Sequence, residues 1–146
     1  MPRRMIAIAF AFVALFALIL AAPGISQAQN STPPAASAVK ATILGKGQSA
    51  VAPDRTLLLQ QRTFPAGSDT GAHAAAGPVV LYVESGSVTF TVVKGSALVT
   101  RAGMTTTEPV AANASVTLNV GDSVSYDQGV VHDVKNTGSS TAVTLE

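Results

Sequence analysis

The chain has no cysteine, two histidines among 146 residues, and only 12% charged side chains. Without cysteine there are no disulfides, so even an exported domain must be held together by its hydrophobic core. A basic patch is missing too, which removes nucleic acid as a natural partner and gives no reason to expect attraction to an anionic membrane surface. No serine nucleophile elbow, phosphate-cradling glycine loop or pair of spaced carboxylates is present. From Val39 onward, no window carries apolar residues at three-and-four spacing with capping residues, so helix is not expected in the body of the chain.

What is present begins with an export pattern. Pro2-Arg3-Arg4 forms a basic start, Ile6 to Ala22 is an unbroken apolar run, Pro23-Gly24 breaks it, and Ser26-Gln27-Ala28 supplies small residues for cleavage. This predicts a secretory signal helix over residues 1–28, cut after Ala28, with a secreted or periplasmic product and no stable membrane association after cleavage. The absence of cysteine at that point argues against a lipid-anchored form. The whole chain has 9 Lys and Arg; Arg3 and Arg4 leave with the signal, so 7 remain against 8 acidic residues, a nearly neutral product. Residues 29–38, rich in Pro, Ser and Ala, form a disordered linker. Residues 39–146 are long enough for one domain with a core.

Within that domain, short runs of Val, Thr, Leu and Tyr are separated by Gly, Pro, Asn and Asp. Strands are expected over Val39–Leu44, Arg55–Phe64, Val79–Glu84, Ser87–Val93, Ser96–Thr100, Ala114–Val120, Ser123–Tyr126, Val130–Lys135 and Ala142–Leu145, with a loop or hairpin around Thr105-Thr106-Thr107 and Asn113. Alternation assigns faces. Val79, Leu81 and Val83 share one side, and Val80, Tyr82 and Glu84 the other. His132, Val134 and Asn136 share a side, while the opposite set, Val131, Asp133 and Lys135, is mostly charged and should meet water. His132 therefore points inward, where an imidazole needs a hydrogen-bond partner or a metal. Asp133 points away from it and cannot orient its ring. Gln60 and Arg62 share a face of their strand, but Leu57-Leu58-Leu59 leaves open which one. The short final strand is expected to leave a sheet edge exposed.

The stretch Gly121–Asn136, GDSVSYDQGVVHDVKN, resembles the second motif of the cupin superfamily: Gly121, Gly129, His132 and Asn136 stand at the family spacing, with Asp127 in place of a proline. Gly67, His73 and Gly86 similarly match the first motif. The resemblance covers the chain from about Arg55 onward. It implies an all-β, antiparallel jelly-roll barrel (a double-stranded β-helix) with any site in the barrel mouth. In the family, two histidines and a glutamate of the first motif and the histidine of the second bind one divalent metal. Here Ala75 stands at the second histidine position and Val79 at the glutamate position, leaving His73 and His132. Asp69 is a weak substitute for the lost carboxylate.

Three functional expectations follow. In the first, the metal site is degenerate and the mouth binds a small molecule, with Val79, Leu81, Val134 and Gln60 as walls, or a weakly held divalent transition metal (zinc, iron, manganese, nickel or copper) on His73 and His132. The same apolar side chains could equally well just fill the barrel. In the second, the chain is a metal-dependent oxygenase or isomerase using both histidines and an unidentified third ligand. In the third, it is a structural module that forms a homodimer through an outer sheet face.

Overall fold

The computed structural model describes residues 38–146. The expected signal helix, and the linker except for Ala38, lie outside the described residues. Eleven strands form: β1 (Lys40–Ser49), β2 (Ala52–Phe64), β3 (His73–Ala74), β4 (Val79–Ser85), β5 (Ser87–Lys94), β6 (Ser96–Thr100), β7 (Thr107–Ala111), β8 (Ser115–Asn119), β9 (Ser123–Tyr126), β10 (Val131–Lys135) and β11 (Ala142–Leu145). They make a seven-stranded sheet, β1-β2-β11-β4-β9-β6-β7, and a four-stranded sheet, β3-β10-β5-β8. All named pairings are antiparallel. From β3 to β11 the chain changes sheet at every strand except the β6–β7 hairpin. This back-and-forth winding is the double-stranded β-helix expected from the sequence.

One apolar cluster fills the space between the sheets. Phe64 of β2, Leu81 and Val83 of β4, Phe90 of β5, Val124 of β9 and Val134 of β10 all belong to it and are almost wholly buried. Each contributes about 1.5–3 kcal/mol relative to exposure. The predicted faces hold: Leu81 and Val83 are interior while Val80, Tyr82 and Glu84 are exposed, and His132, Val134 and Asn136 are buried between half-exposed Val131 and Asp133.

The motif residues close the corners. Gly86, between β4 and β5, has φ 71°, and a Cβ there would lie 2.8 Å from the Cα of Ala142. The turn therefore needs a residue without a side chain so that β11 can pass beneath it. Asn136 is 1% exposed. Its Nδ2 donates to the carbonyls of Phe64 and Ser140, both at 2.8 Å, and its Oδ1 accepts from Gly138 N at 2.9 Å. It thus ties off the end of β10 and also holds the loop that delivers β11.

Three features differ from the sequence expectation. β1 and β2 are longer than predicted and form a ribbon that runs past the barrel; Gly45, Gly47 and Pro53 look like breakers but are tolerated in an exposed ribbon and near its turn. β3 is two residues long, too short to give a periodic signal. The segment around Thr105-Thr106-Thr107 is a hairpin, one of the two forms expected, with Pro109 on edge strand β7. The last strand leaves no open edge: β11 lies between β2 and β4 in the middle of the larger sheet.

Candidate functional site

The two histidines meet. β3 pairs with β10 in a register that sets His73 directly opposite His132, and their ring centroids are 4.4 Å apart at 53°. Phe90 stacks on His132 at 5.3 Å and 18°, and Tyr126 packs on it at 4.4 Å and 50°. His132 is 3% exposed, whereas His73 is half-buried at the opening.

Hydrogen bonds fix the tautomers. His73 Nδ1 donates to the Gly71 carbonyl at 2.9 Å, and His132 Nδ1 donates to the Val130 carbonyl at 3.4 Å. A carbonyl only accepts, so in the neutral rings both Nε2 atoms carry a lone pair. Burial pushes the His132 pKa below its ordinary value; the Val130 carbonyl opposes this, His73 and Arg62 reinforce it, and Asp133 opposes it. His132 is therefore a neutral imidazole.

The opposite wall is polar in a way the sequence reading left incomplete. Arg62 and Gln60 of β2 point inward, and Glu146, just beyond β11, points toward them. Glu146 Oε2 lies 3.0 Å from Arg62 Nε and 3.1 Å from Gln60 Nε2, and the backbones of Gln60 and Glu146 exchange two 2.8 Å hydrogen bonds. The Arg62 Nε is off the line of a hydrogen bond, so it is ion-paired but buried without a hydrogen-bonding partner. Thr144, paired with Arg62 across β11 and β2, is fully buried, and its Oγ1 has no partner either. Burial raises the Tyr126 pKa well above that of an ordinary phenol; Glu146 adds to this and Arg62 opposes it. Tyr126 is a neutral hydroxyl.

Arg62 and His73 open together into a cleft of about 420 Å³, with Val39, Ala41, Asp69 and Thr70. Val79 and Tyr126 line a second cleft of about 400 Å³ at the ends of β4, β9 and β6. Val79 therefore lines a different cleft from His73, and Gln60 belongs to the inner polar set. Leu81 and Val134 line neither cleft; they sit in the filled part of the barrel, 0% and 1% exposed.

The residues do not fit the metal cage that the family resemblance implies. Among the described residues no group of three or more His, Cys, Asp or Glu comes together as a metal would require. Ala75 is buried at the second histidine position and Val79 contributes no donor. The Asp69 carboxylate is engaged by Gly71 N at 3.1 Å and lies 3.8 Å from Lys135 Nζ. Structural and catalytic zinc sites take three or four protein ligands, and the Arg62 charge repels a second cation.

Sequence reasoning missed Glu146, Phe90 and Tyr126 as members of the site and left the face of Arg62 open. The signal for two of them was available: steps of two back from buried Phe64 reach Arg62 and Gln60, and steps of two on from buried Ala142 reach Thr144 and Glu146.

The winding of the strands between the two sheets defines a double-stranded β-helix of the cupin type. No family model matches the sequence, and no curated protein matches it. Solved structures that resemble it include the CENP-C cupin domain of Drosophila melanogaster, 19% identical, covering 60% of this chain and 56% of that one, with a TM-score of 0.41. A cupin domain from Bordetella pertussis is 17% identical, covering 75% of this chain and 91% of that one, TM-score 0.41. A predicted oxalate decarboxylase from Thermotoga maritima is 19% identical, covering 73% and 76%, TM-score 0.30. The chain spans 56% and 60% of the first two Drosophila structures it resembles.

Proposed function

We propose that this chain is an exported, single-domain binding module that holds a small polar molecule in the barrel mouth. The observation that carries this reading is the inner polar set: where the family resemblance implies metal ligands, the mouth has Arg62, Gln60, Glu146 and His73 beside an open cleft, with the hydroxyl of Thr144 and the Nε of Arg62 lacking hydrogen-bond partners. A ligand with oxygen acceptors in the cleft would meet Arg62 and His73, which line it, while the unpartnered Thr144 Oγ1 and Arg62 Nε behind them are sealed in the free protein at a cost in stability. His132, Phe90 and Tyr126 form the apolar-aromatic floor, and the few polar groups above it give orientation, the usual make-up of a small-molecule site. Export rests on the basic-apolar-small pattern of residues 1–28.

A second reading has one observation in its favour. Both Nδ1 atoms are occupied by carbonyls, which leaves two Nε2 lone pairs for a weakly held divalent transition metal. One experiment separates the two. The purified chain is dialysed against zinc, iron, manganese, nickel or copper and assayed for bound metal, then screened by thermal shift with small carboxylic acids, alcohols and amines. The binding-module reading expects a raised Tm with an oxygen-rich compound and loss of that rise in Arg62→Gln. At a hundredfold excess over Kd, binding adds about 2.7 kcal/mol, several degrees for a domain of this size. One equivalent of metal that survives dialysis and is lost in His73→Ala would overturn it in favour of a metal centre.

A further inference from the structure

The cleft that Arg62 and His73 share is lined by charges of both signs, because Asp69 lines it as well. Neither charge is spent on the other: Arg62 pairs with Glu146, and Asp69 with Lys135. Each pairing leaves part of the group unused. Glu146 approaches Arg62 at Nε, with a side chain only 8% exposed. Nε is the one nitrogen of the guanidinium that is buried without a hydrogen-bond partner. The two Nη groups make no hydrogen bond among the described residues, and they reach the opening. The residue opposite Arg62 on β1 is Ala41, whose methyl group leaves them uncovered.

The acceptors of the cleft are equally unfilled. Asp69 is held at the rim by a backbone bridge to Lys135. Its Oδ1 accepts from Gly71 N at 3.1 Å, whereas Oδ2 lies 3.8 Å from Lys135 Nζ, beyond hydrogen-bond reach. Both members of that ion pair are largely exposed, so it contributes little and leaves Oδ2 open to a better donor. His73 adds a second acceptor: its Nδ1 is committed to the Gly71 carbonyl, so the neutral ring offers the Nε2 lone pair. Thr70 is wall only, since its Oγ1 donates to Asp133 Oδ1 at 3.1 Å and accepts from Val134 N at 3.0 Å.

A simple carboxylate would fill the Arg62 fork but set a second anion against Asp69. A simple amine would do the reverse, and a sugar or alcohol would answer neither charge. The charges of Arg62, Glu146, Asp69 and Lys135 sum to zero, which suits a ligand that is itself neutral overall while carrying both signs. Resting on the binding-module reading, we propose that the ligand is an amino carboxylic acid held as its zwitterion. Its carboxylate lies on the Nη groups of Arg62, its ammonium on Asp69 Oδ2 and His73 Nε2, and its carbon body against Ala41 and Val39, which packs on the core. Hydrogen bonds between charged groups are roughly twice as strong as neutral ones, so the two ends together set the preference.

The test is calorimetric titration of the purified full chain at neutral pH. Alanine, β-alanine, 4-aminobutanoate and 5-aminopentanoate separate the two charges by successive carbons; propanoate and propylamine carry one charge each. At least one zwitterion is expected to bind about tenfold or more tightly than propanoate and propylamine, the worth of one hydrogen bond between charged groups. Asp69→Asn is expected to bring that zwitterion down to the level of propanoate, and Arg62→Gln to abolish binding of both. The comparison of ligands on the parent chain and the exposed Asp69→Asn change decide the matter even where Arg62→Gln fails to fold. Propanoate, propylamine or glucose binding as tightly as every zwitterion overturns the amino-acid ligand and leaves the binding module standing. A zwitterion preference unchanged in Asp69→Asn overturns the assigned contacts. No heat and no thermal shift with any compound overturns both readings together.

Discussion

At the scale of single residues, the inside of this barrel is marked by atoms that lack partners. Thr144 Oγ1 is the clearest case, buried and unbonded in a β-sheet that is otherwise well paired. Thr144→Val keeps the shape and removes the orphan hydroxyl, so it should stabilise the free protein by about 1 kcal/mol, read as a higher urea midpoint. If the hydroxyl contacts the proposed ligand, the same variant should also give a smaller thermal shift with that ligand. A variant that is less stable than the parent would show that Oγ1 has a role in the free protein. The inward histidine was legible in the sequence because its neighbours alternate cleanly with charge: Asp133 and Lys135 can only face water. Arg62 was only half legible: steps of two from Phe64 put it on one face with Gln60, but Leu57-Leu58-Leu59 upstream, exposed on the ribbon, erases the alternation that would say which face.

At the scale of elements, most strands could be read from period-two patterning, and those that could not are the ones whose environment breaks the usual rule. β3 is held by its pairing with β10 rather than by a run of its own, and the ribbon has no inside. The turn from β8 into β9 illustrates how polar side chains, not apolar ones, fix the ends of these elements. Asp122, 4% exposed, accepts from Ala102 N at 2.9 Å, from Asn119 N at 3.0 Å and from Arg101 Nη1 at 2.9 Å. Burial alone would raise its pKa, but the two backbone N–H groups and the Arg101 guanidinium outweigh that and hold it below the usual carboxylate value. A carboxyl group with a depressed folded-state pKa contributes stability that is fully present above its unfolded pKa of about 4 and is lost as pH falls through the folded value. Asp122→Asn should therefore cost about 1–3 kcal/mol at neutral pH. The gap between variant and parent should narrow steadily below about pH 4, which urea denaturation at a series of pH values would reveal. A gap that stays constant down to strong acid would mean that the charge of Asp122 is irrelevant to the turn.

At the scale of the whole molecule, the class of fold was legible because glycine and asparagine at fixed spacing answer to corners of the winding, with His132 on the strand between Gly129 and Asn136. The position of the last strand was not, since nothing in four residues of Ala, Val, Thr and Leu says whether they sit at a margin or in the centre. They sit in the centre, between β2 and β4. Deleting residues 142–146 should therefore do more than fray an end: it splits the larger sheet, exposes Phe64 and Val83, and should abolish cooperative thermal unfolding. A truncated chain that still melted in one sharp transition would show that the two halves of the sheet hold without the strand between them.

The placement of β11 also orders events in time. Every other described strand leaves the ribosome before the one that joins β2 to β4, so the growing chain carries two unzipped margins until its final stretch emerges. Sheet closure of this kind depends on distant partners and is slow compared with helix formation. If the chain crosses a membrane as proposed, that delay would keep the polypeptide threadable through a narrow channel and leave completion of the barrel to the far side.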